Sequence, residues 1–87
     1  MTDAASLALA QALLAAVDVG RLPNRDWIEE FMRAGEWGQA GTEVLTAMKN
    51  GEAPTNAELA IQALKMWPTE MGAPVVEFCA ELERAAA

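Results

Sequence analysis

The residues of this chain that could perform chemistry are carboxylates, because its 87 residues include no histidine and a single cysteine. Neither a Cys/His zinc site nor a histidine-dependent nucleophile can be assembled from that set. Asp26 and Glu30 stand four residues apart, as do Glu77 and Glu81, so each pair would share one helix face. Paired carboxylates can bind divalent ions or exchange protons, but di-metal bundles usually add a Glu-x-x-His motif. We therefore expect no enzyme, no metal site and no cofactor, and we interpret these pairs as solvated acidic faces.

The cysteine and the three tryptophans are the other side chains with distinctive chemistry. Cys79 follows Phe78 on an apolar face, which predicts an unreactive buried thiol. Tryptophan is favoured both in cores and at interface hot spots. The apolar stripes around Trp27 and Trp67 favour the core for both, whereas the pattern around Trp37 leaves core and interface open.

The spacing of apolar residues predicts five short helices and no strand. The first covers about residues 3 to 18, with Thr2 or Asp3 as its cap, and Gly20 and Pro23 end it. It is apolar on nearly every side, which favours either a central place in the bundle or a homo-oligomer seam. A chain this short has room for one core. The predicted fold class is therefore all-α, a single compact bundle of four to five short helices over residues 1–87.

The remaining helix ends follow from turn and capping residues. Asn24 is expected to cap the second helix, and Gly35 to adopt the left-handed conformation that closes it before Glu36 opens the third. Gly38 and Gly41 each weaken the third helix by roughly 1 kcal/mol, which would make sense if another helix crosses closely there. The other predicted boundaries are a stop at Asn50-Gly51, a capping box at Thr55–Glu58, a stop at Pro68, a start at Pro74 and fraying of residues 85–87.

The net charge restricts the classes of partner. Six basic against 13 acidic residues give a formal net charge of −7. Nucleic acids and anionic membrane surfaces would be repelled, whereas basic partners would be attracted. The uncharged run from Ala4 to Val17 has 14 residues, fewer than the about 20 that a membrane span needs. No basic residue precedes that run, unlike in a secretory signal, so we expect a cytoplasmic chain.

The junction between the second and third predicted helices carries a motif. The second helix ends in Ala-Gly-Glu, and an aromatic residue, a glycine and, one position further on, an alanine follow it. This stretch resembles small bacterial immunity proteins of the MafI type, and the matching positions are Gly35, Glu36, Trp37, Gly38 and Ala40. Gln39 departs from the pattern, because an apolar residue is usual there.

The resemblance implies that the chain neutralises a cognate bacterial toxin by binding it directly. Such toxins often carry a basic surface or active-site cleft, which an acidic helical surface would complement. The candidate contacts are five acidic residues and one aromatic anchor: Asp26, Glu29, Glu30, Glu36, Glu43 and Trp37.

Two functions of other classes also fit the residues. A small helical oligomerisation or adaptor module would use the first helix as its self-association seam, and its mass would then depend on concentration. A carboxylate-dependent metal enzyme would bind a divalent ion tightly and stoichiometrically. Both are alternatives to the immunity function that the resemblance implies.

Overall fold

A computed structural model describes residues 3–87 of the chain. They form five helices: α1 Asp3–Ala15, α2 Arg25–Arg33, α3 Trp37–Lys49, α4 Ala57–Met66 and α5 Ala73–Ala86. A 3-10 turn at Val19–Arg21 lies between α1 and α2. No strand occurs in this part of the chain. The predicted all-α class, a small bundle of short helices, is confirmed.

The central helix of the bundle is α3, which packs against each of the other four helices. Eight of its residues are buried. By contrast, α1 buries one face through Leu9, Ala10 and Leu13, and its outer face consists mainly of exposed alanines. α1 was expected to be either the central helix or a homo-oligomer seam. The central position belongs to α3 instead. The buried residues of α3 include Gly38, Ala40, Gly41 and Ala47, and such small side chains let neighbouring elements approach the helix closely from several sides.

The first helix is also shorter than predicted. The amide of Ala16 donates to the carbonyl of Leu13 at 3.1 Å, and that of Val17 donates to the carbonyl of Leu14 at 3.5 Å. Bonds to the third residue back tighten the last turn and end the helix at Ala15, ahead of Gly20. Of its two candidate caps, Thr2 lies outside the described residues and Asp3 is the first residue of α1.

Three other predicted boundaries need correction. Asn24 precedes α2, but its side chain does not cap the helix. Asn56, rather than Thr55, caps α4, and its Oδ1 accepts from the amide of Leu59 at 3.0 Å. The last helix starts one residue before Pro74 and stays helical to Ala86, so the fraying predicted for residues 85 and 86 is wrong. The second and third errors are shifts of one residue at a helix end, where boundaries are defined only to within one or two residues.

The turn between α2 and α3 is closed as predicted. Gly35 has a φ of 76°, the left-handed conformation. The amide of Glu36 donates to the carbonyl of Phe31 at 2.8 Å, and that of Gly35 donates to the carbonyl of Met32 at 3.2 Å. This pair of bonds is a Schellman motif. The motif reverses the chain within three residues and thereby sets α2 beside α3.

We expect Gly35→Ala to lower the free energy of unfolding by about 1 kcal/mol or more, because a Cβ is strained at positive φ. Space is not limiting, since the nearest atom to an added Cβ is Cζ2 of Trp37 at 3.8 Å. Urea denaturation followed by circular dichroism measures the loss. The control is Gly20→Ala, at an exposed glycine without positive φ. Equal losses in the two variants would show that backbone conformation is not the cause.

The tryptophans divide between core and surface differently from the prediction. Trp67 is 2% exposed, as expected, and Trp37 is half-buried against the core. Trp27 is 63% exposed, so its predicted burial is wrong. The cause lies in α2, which packs chiefly against α3 through Ile28. Trp27 lies about 100° around the helix from Ile28 and so faces away from α3.

Candidate functional site

The predicted contact residues lie on α2, on α3 and in the turn between them, and the two helices pack against each other. Asp26, Glu29 and Glu30 are exposed on α2. Arg25 lies 3.5 Å from Asp26, and Arg33 lies 2.7 Å from Glu30. Ion pairs between exposed side chains contribute roughly 0 to 1 kcal/mol. These carboxylates can therefore exchange their arginine partners for charges on another molecule at little cost.

Glu36 and Glu43 lie beside opposite ends of α2. Glu36 is exposed at the turn that follows α2, whereas Glu43 is half-buried beside the residue that precedes α2. There, Nδ2 of Asn24 donates to the backbone carbonyl of Glu43 and to its Oε1, both at 2.9 Å. A nine-residue helix is about 13 Å long, so the two glutamates do not form one cluster. The carboxylate of Glu43 is engaged in holding α2 to α3.

An aromatic pair lies on the same helix as the three exposed acids. The rings of Trp27 and Phe31 stack with their centroids 6.0 Å apart at an interplanar angle of 27°. Phe31 is half-buried and lies outside the core cluster. Because the apolar stripe around Trp27 predicts a core position, this pair is not predicted from the sequence. The spacing of four residues was the available signal, but a core stripe has the same spacing.

A groove of about 240 Å³ lies where α3 begins, between the α2–α3 turn and the α4–α5 loop. Two of the predicted contacts, Glu36 and Trp37, line it together with Glu70 of the loop. The remaining lining residues come from both sides of the groove: Ser6, Gly35, Gly38, Met66 and Trp67. No sequence pattern links Glu70 to the α2–α3 turn, because the tertiary fold alone brings the loop there.

Two contacts fix the walls of this groove. The carboxylate of Glu70 lies directly over Gly38, at the position where a Cβ would stand. At the end of α4, Nε1 of Trp67 donates to Oγ of Ser6 at 2.6 Å, which ties this end of the helix to α1. The absence of a side chain at Gly38 therefore gives Glu70 its place. A crossing helix was expected at the glycines of α3, but at Gly38 the close neighbour is the side chain of a loop residue.

Cys79 lies in the core with no exposed surface, as predicted. Burial raises the pKa of its thiol to about 11, because an apolar environment disfavours the thiolate. The thiolate is the reactive form of cysteine. Because Cys79 is buried and protonated at neutral pH, its thiol is expected to be unreactive in the folded protein.

We expect a thiol reagent to label Cys79 slowly in the native protein at neutral pH and rapidly in denaturant. Because the pKa is raised in the folded state, the contribution of this thiol to stability is complete below the unfolded pKa. It is then lost as pH rises towards about 11. Labelling rates followed by mass spectrometry, with and without urea, measure the difference. Rapid native labelling at neutral pH would contradict burial.

Within residues 3–87, no group of three or more carboxylate or cysteine side chains is placed to hold a metal ion. None of the described helices has the length and apolar character needed to cross a membrane. Comparison of the chain with protein-family models, with curated proteins and with solved structures finds no match.

Proposed function

We propose that this protein is an immunity protein that neutralises a cognate bacterial toxin by direct binding through its acidic α2–α3 surface. The surface consists of the outer face of α2 and the turn into α3, and its candidate contacts are Asp26, Glu29, Glu30, Glu36 and Trp37. The exposed Trp27 is added to this set. Of the residues expected from the sequence, Glu43 stands apart, because it lies within α3 and its carboxylate accepts from Asn24. The proposal rests on the resemblance at the α2–α3 junction together with the surface described above.

The observation that carries the proposal is the exposed tryptophan on an acidic helix. A tryptophan that is 63% exposed keeps much of its large apolar area in water. Its ring stacks on Phe31, and Glu30 stands three residues along the same side of the helix. A rigid aromatic anchor surrounded by polar groups is typical of the energetic centre of protein interfaces. The exposed position of this tryptophan supports a role in protein binding more than a role in solubility.

Charge gives the partner its chemical character. The chain has a net charge of −7, and three of its exposed carboxylates lie on α2 beside Trp27. Complementary charges accelerate encounter and select partners more than they add affinity. The favoured partner is therefore a toxin domain with a basic surface or cleft. An enzyme that acts on nucleic acids would offer such a cleft, because it must bind phosphates.

The test is co-expression with the product of the adjacent upstream gene, scored by rescue of growth. We expect the natural chain to rescue growth. A triple variant, Asp26→Lys with Glu29→Lys and Glu30→Lys, should associate more slowly in vitro and show a flatter salt dependence. Trp27→Ala should weaken binding by about 2 kcal/mol, the usual threshold of a hot spot.

A matched control reverses three other exposed carboxylates: Glu52→Lys, Glu58→Lys and Glu83→Lys. It changes the net charge by the same amount but leaves α2 intact, so we expect it to keep most of the rescue. If both triple variants lose rescue equally, net charge is responsible and the α2 surface is excluded. If the purified chain instead gains mass with concentration and the co-expressed protein does not bind it, the oligomerisation alternative is supported.

A further inference from the structure

The geometry points to the groove between Glu36, Trp37 and Glu70 as a receptor for a single arginine side chain of the partner protein. The inference rests on the proposed function in taking a protein as the source of that arginine. Two of the residues that define the groove, Glu36 and Trp37, belong to the proposed binding surface. The groove thus adds a defined chemical requirement to that surface, since the partner must present a protruding guanidinium group.

The size of the groove favours one side chain over a small-molecule ligand. Its volume is about 240 Å³, below the roughly 300 to 1,000 Å³ of typical ligand pockets. It is also open at the surface, since Glu36 and Glu70 are exposed residues. A long, flexible side chain from a docked protein can enter such a groove from outside.

The charge of the groove favours a cation. Both of its ionisable side chains are carboxylates, those of Glu36 and Glu70. Within the part of the chain that the structure describes, no lysine or arginine forms a salt bridge with either of them. By contrast, Glu30 and Glu77 have arginine partners within 3 Å. The groove therefore gathers two negative charges that the described part of the fold leaves uncompensated.

The tryptophan selects arginine among the cations. Trp37 is half-buried and is one of the residues that line the groove. A guanidinium group is planar, stacks on aromatic faces and donates in a fork that matches carboxylates. A lysine ammonium is a strongly hydrated point charge that lacks this planar geometry. An arginine in the groove could stack its planar guanidinium group on Trp37 and donate to Glu36 or Glu70.

The test uses the intact protein and a small probe, N-acetyl-arginine-N-methylamide, whose only charge is the guanidinium group. Its uncharged counterpart, N-acetyl-citrulline-N-methylamide, has nearly the same shape. We expect the arginine compound to shift the indole N–H signals of Trp37 and Trp67 saturably in the NMR spectrum, with millimolar affinity. The citrulline compound should not do so. The signal of Trp27, which lies outside the groove, distinguishes binding in the groove from binding on the exposed face of α2.

Substitutions locate the site. Glu36→Gln combined with Glu70→Gln should weaken binding of the arginine compound by about tenfold or more, since it removes the negative charge from both carboxylates that can accept from the guanidinium group. The matched control, Glu52→Gln with Glu58→Gln, removes the same charge elsewhere and should bind normally. Gly38→Ala keeps both charges but displaces the carboxylate of Glu70, and it should also weaken binding.

The inference is overturned if no saturable shift occurs, if the citrulline compound binds equally well, or if the Glu36 and Glu70 double variant binds as tightly as the natural chain. These outcomes are distinct from failure of the proposed function. A protein that binds the arginine compound in the groove but does not rescue growth would keep the arginine site and lose the immunity function. A protein that rescues growth without binding the compound would keep the immunity function and lose the site.

Discussion

Trp67→Ala is expected to lower the free energy of unfolding by about 3 to 5 kcal/mol, the usual cost of removing a large aromatic side chain from a core. Trp67 is 2% exposed and is the largest of the fully buried side chains. Its ring fills the space beside Gly41 and Leu13, and its indole N–H donates to Ser6. Because small domains have about 5 to 15 kcal/mol of stability in total, this variant should be close to unfolding. Urea denaturation followed by far-ultraviolet circular dichroism measures the change.

Trp27→Ala is the matched control, since it removes the same side chain from the surface. We expect it to change stability by no more than about 0.5 kcal/mol. If Trp67→Ala does not fold at all, Trp67→Phe still gives a measurable answer. That variant keeps an aromatic ring but loses the hydrogen bond to Ser6, and it should cost about 1 to 2 kcal/mol. Equal stability of the Trp27 and Trp67 variants would mean that the core is assigned wrongly.

Gly41→Ala should destabilise the protein even though alanine is the better helix former. A Cβ at this position would stand 2.5 Å from Cη2 of Trp67 and 3.3 Å from Cδ1 of Leu13. Both side chains are buried, so neither can move away freely. Overpacking of this kind costs roughly 1 to 3 kcal/mol, against which the gain in helix propensity is about 1 kcal/mol. We therefore expect a net loss of stability, measured by the same urea denaturation.

Gly38→Ala provides the comparison, because it introduces the same methyl group one turn earlier in the same helix. Here the obstructing atoms belong to the end of the Glu70 side chain, which can swing into solvent. We expect Gly38→Ala to be neutral or to stabilise the protein by up to about 1 kcal/mol. The changes in the free energy of unfolding should thus differ in sign between the two variants, or clearly differ in size. Equal effects would show that the contact with Trp67 does not limit residue 41.

The helices and the turn after α2 could be predicted because they depend on neighbours along the chain. The left-handed Gly35 follows from the steric freedom of glycine at a helix end, and the buried Val44, Leu45 and Met48 follow from the helical period. Capping was less predictable. Asn24 was expected to bond its own helix, but it bonds Glu43, which is 19 positions away. A polar side chain takes the best partner available in space, and that partner cannot be read from local spacing.

Part of the candidate site likewise follows from the sequence, and part of it depends on the tertiary structure. The sequence alone determines an acidic all-α chain, because charge follows from composition and helices follow from the period of apolar residues. It also determines that α2 carries carboxylates and that an aromatic residue follows the Gly-Glu turn. It does not specify which side of α2 meets the core, because Trp27 and Ile28 are both apolar and only packing against α3 distinguishes them. Nor does it place Glu70 beside Trp37, 33 positions earlier in the chain. That juxtaposition depends on how the residues after α4 pack against α3, where the ring of Trp67 lies over Gly41, a contact set by the shapes of distant side chains.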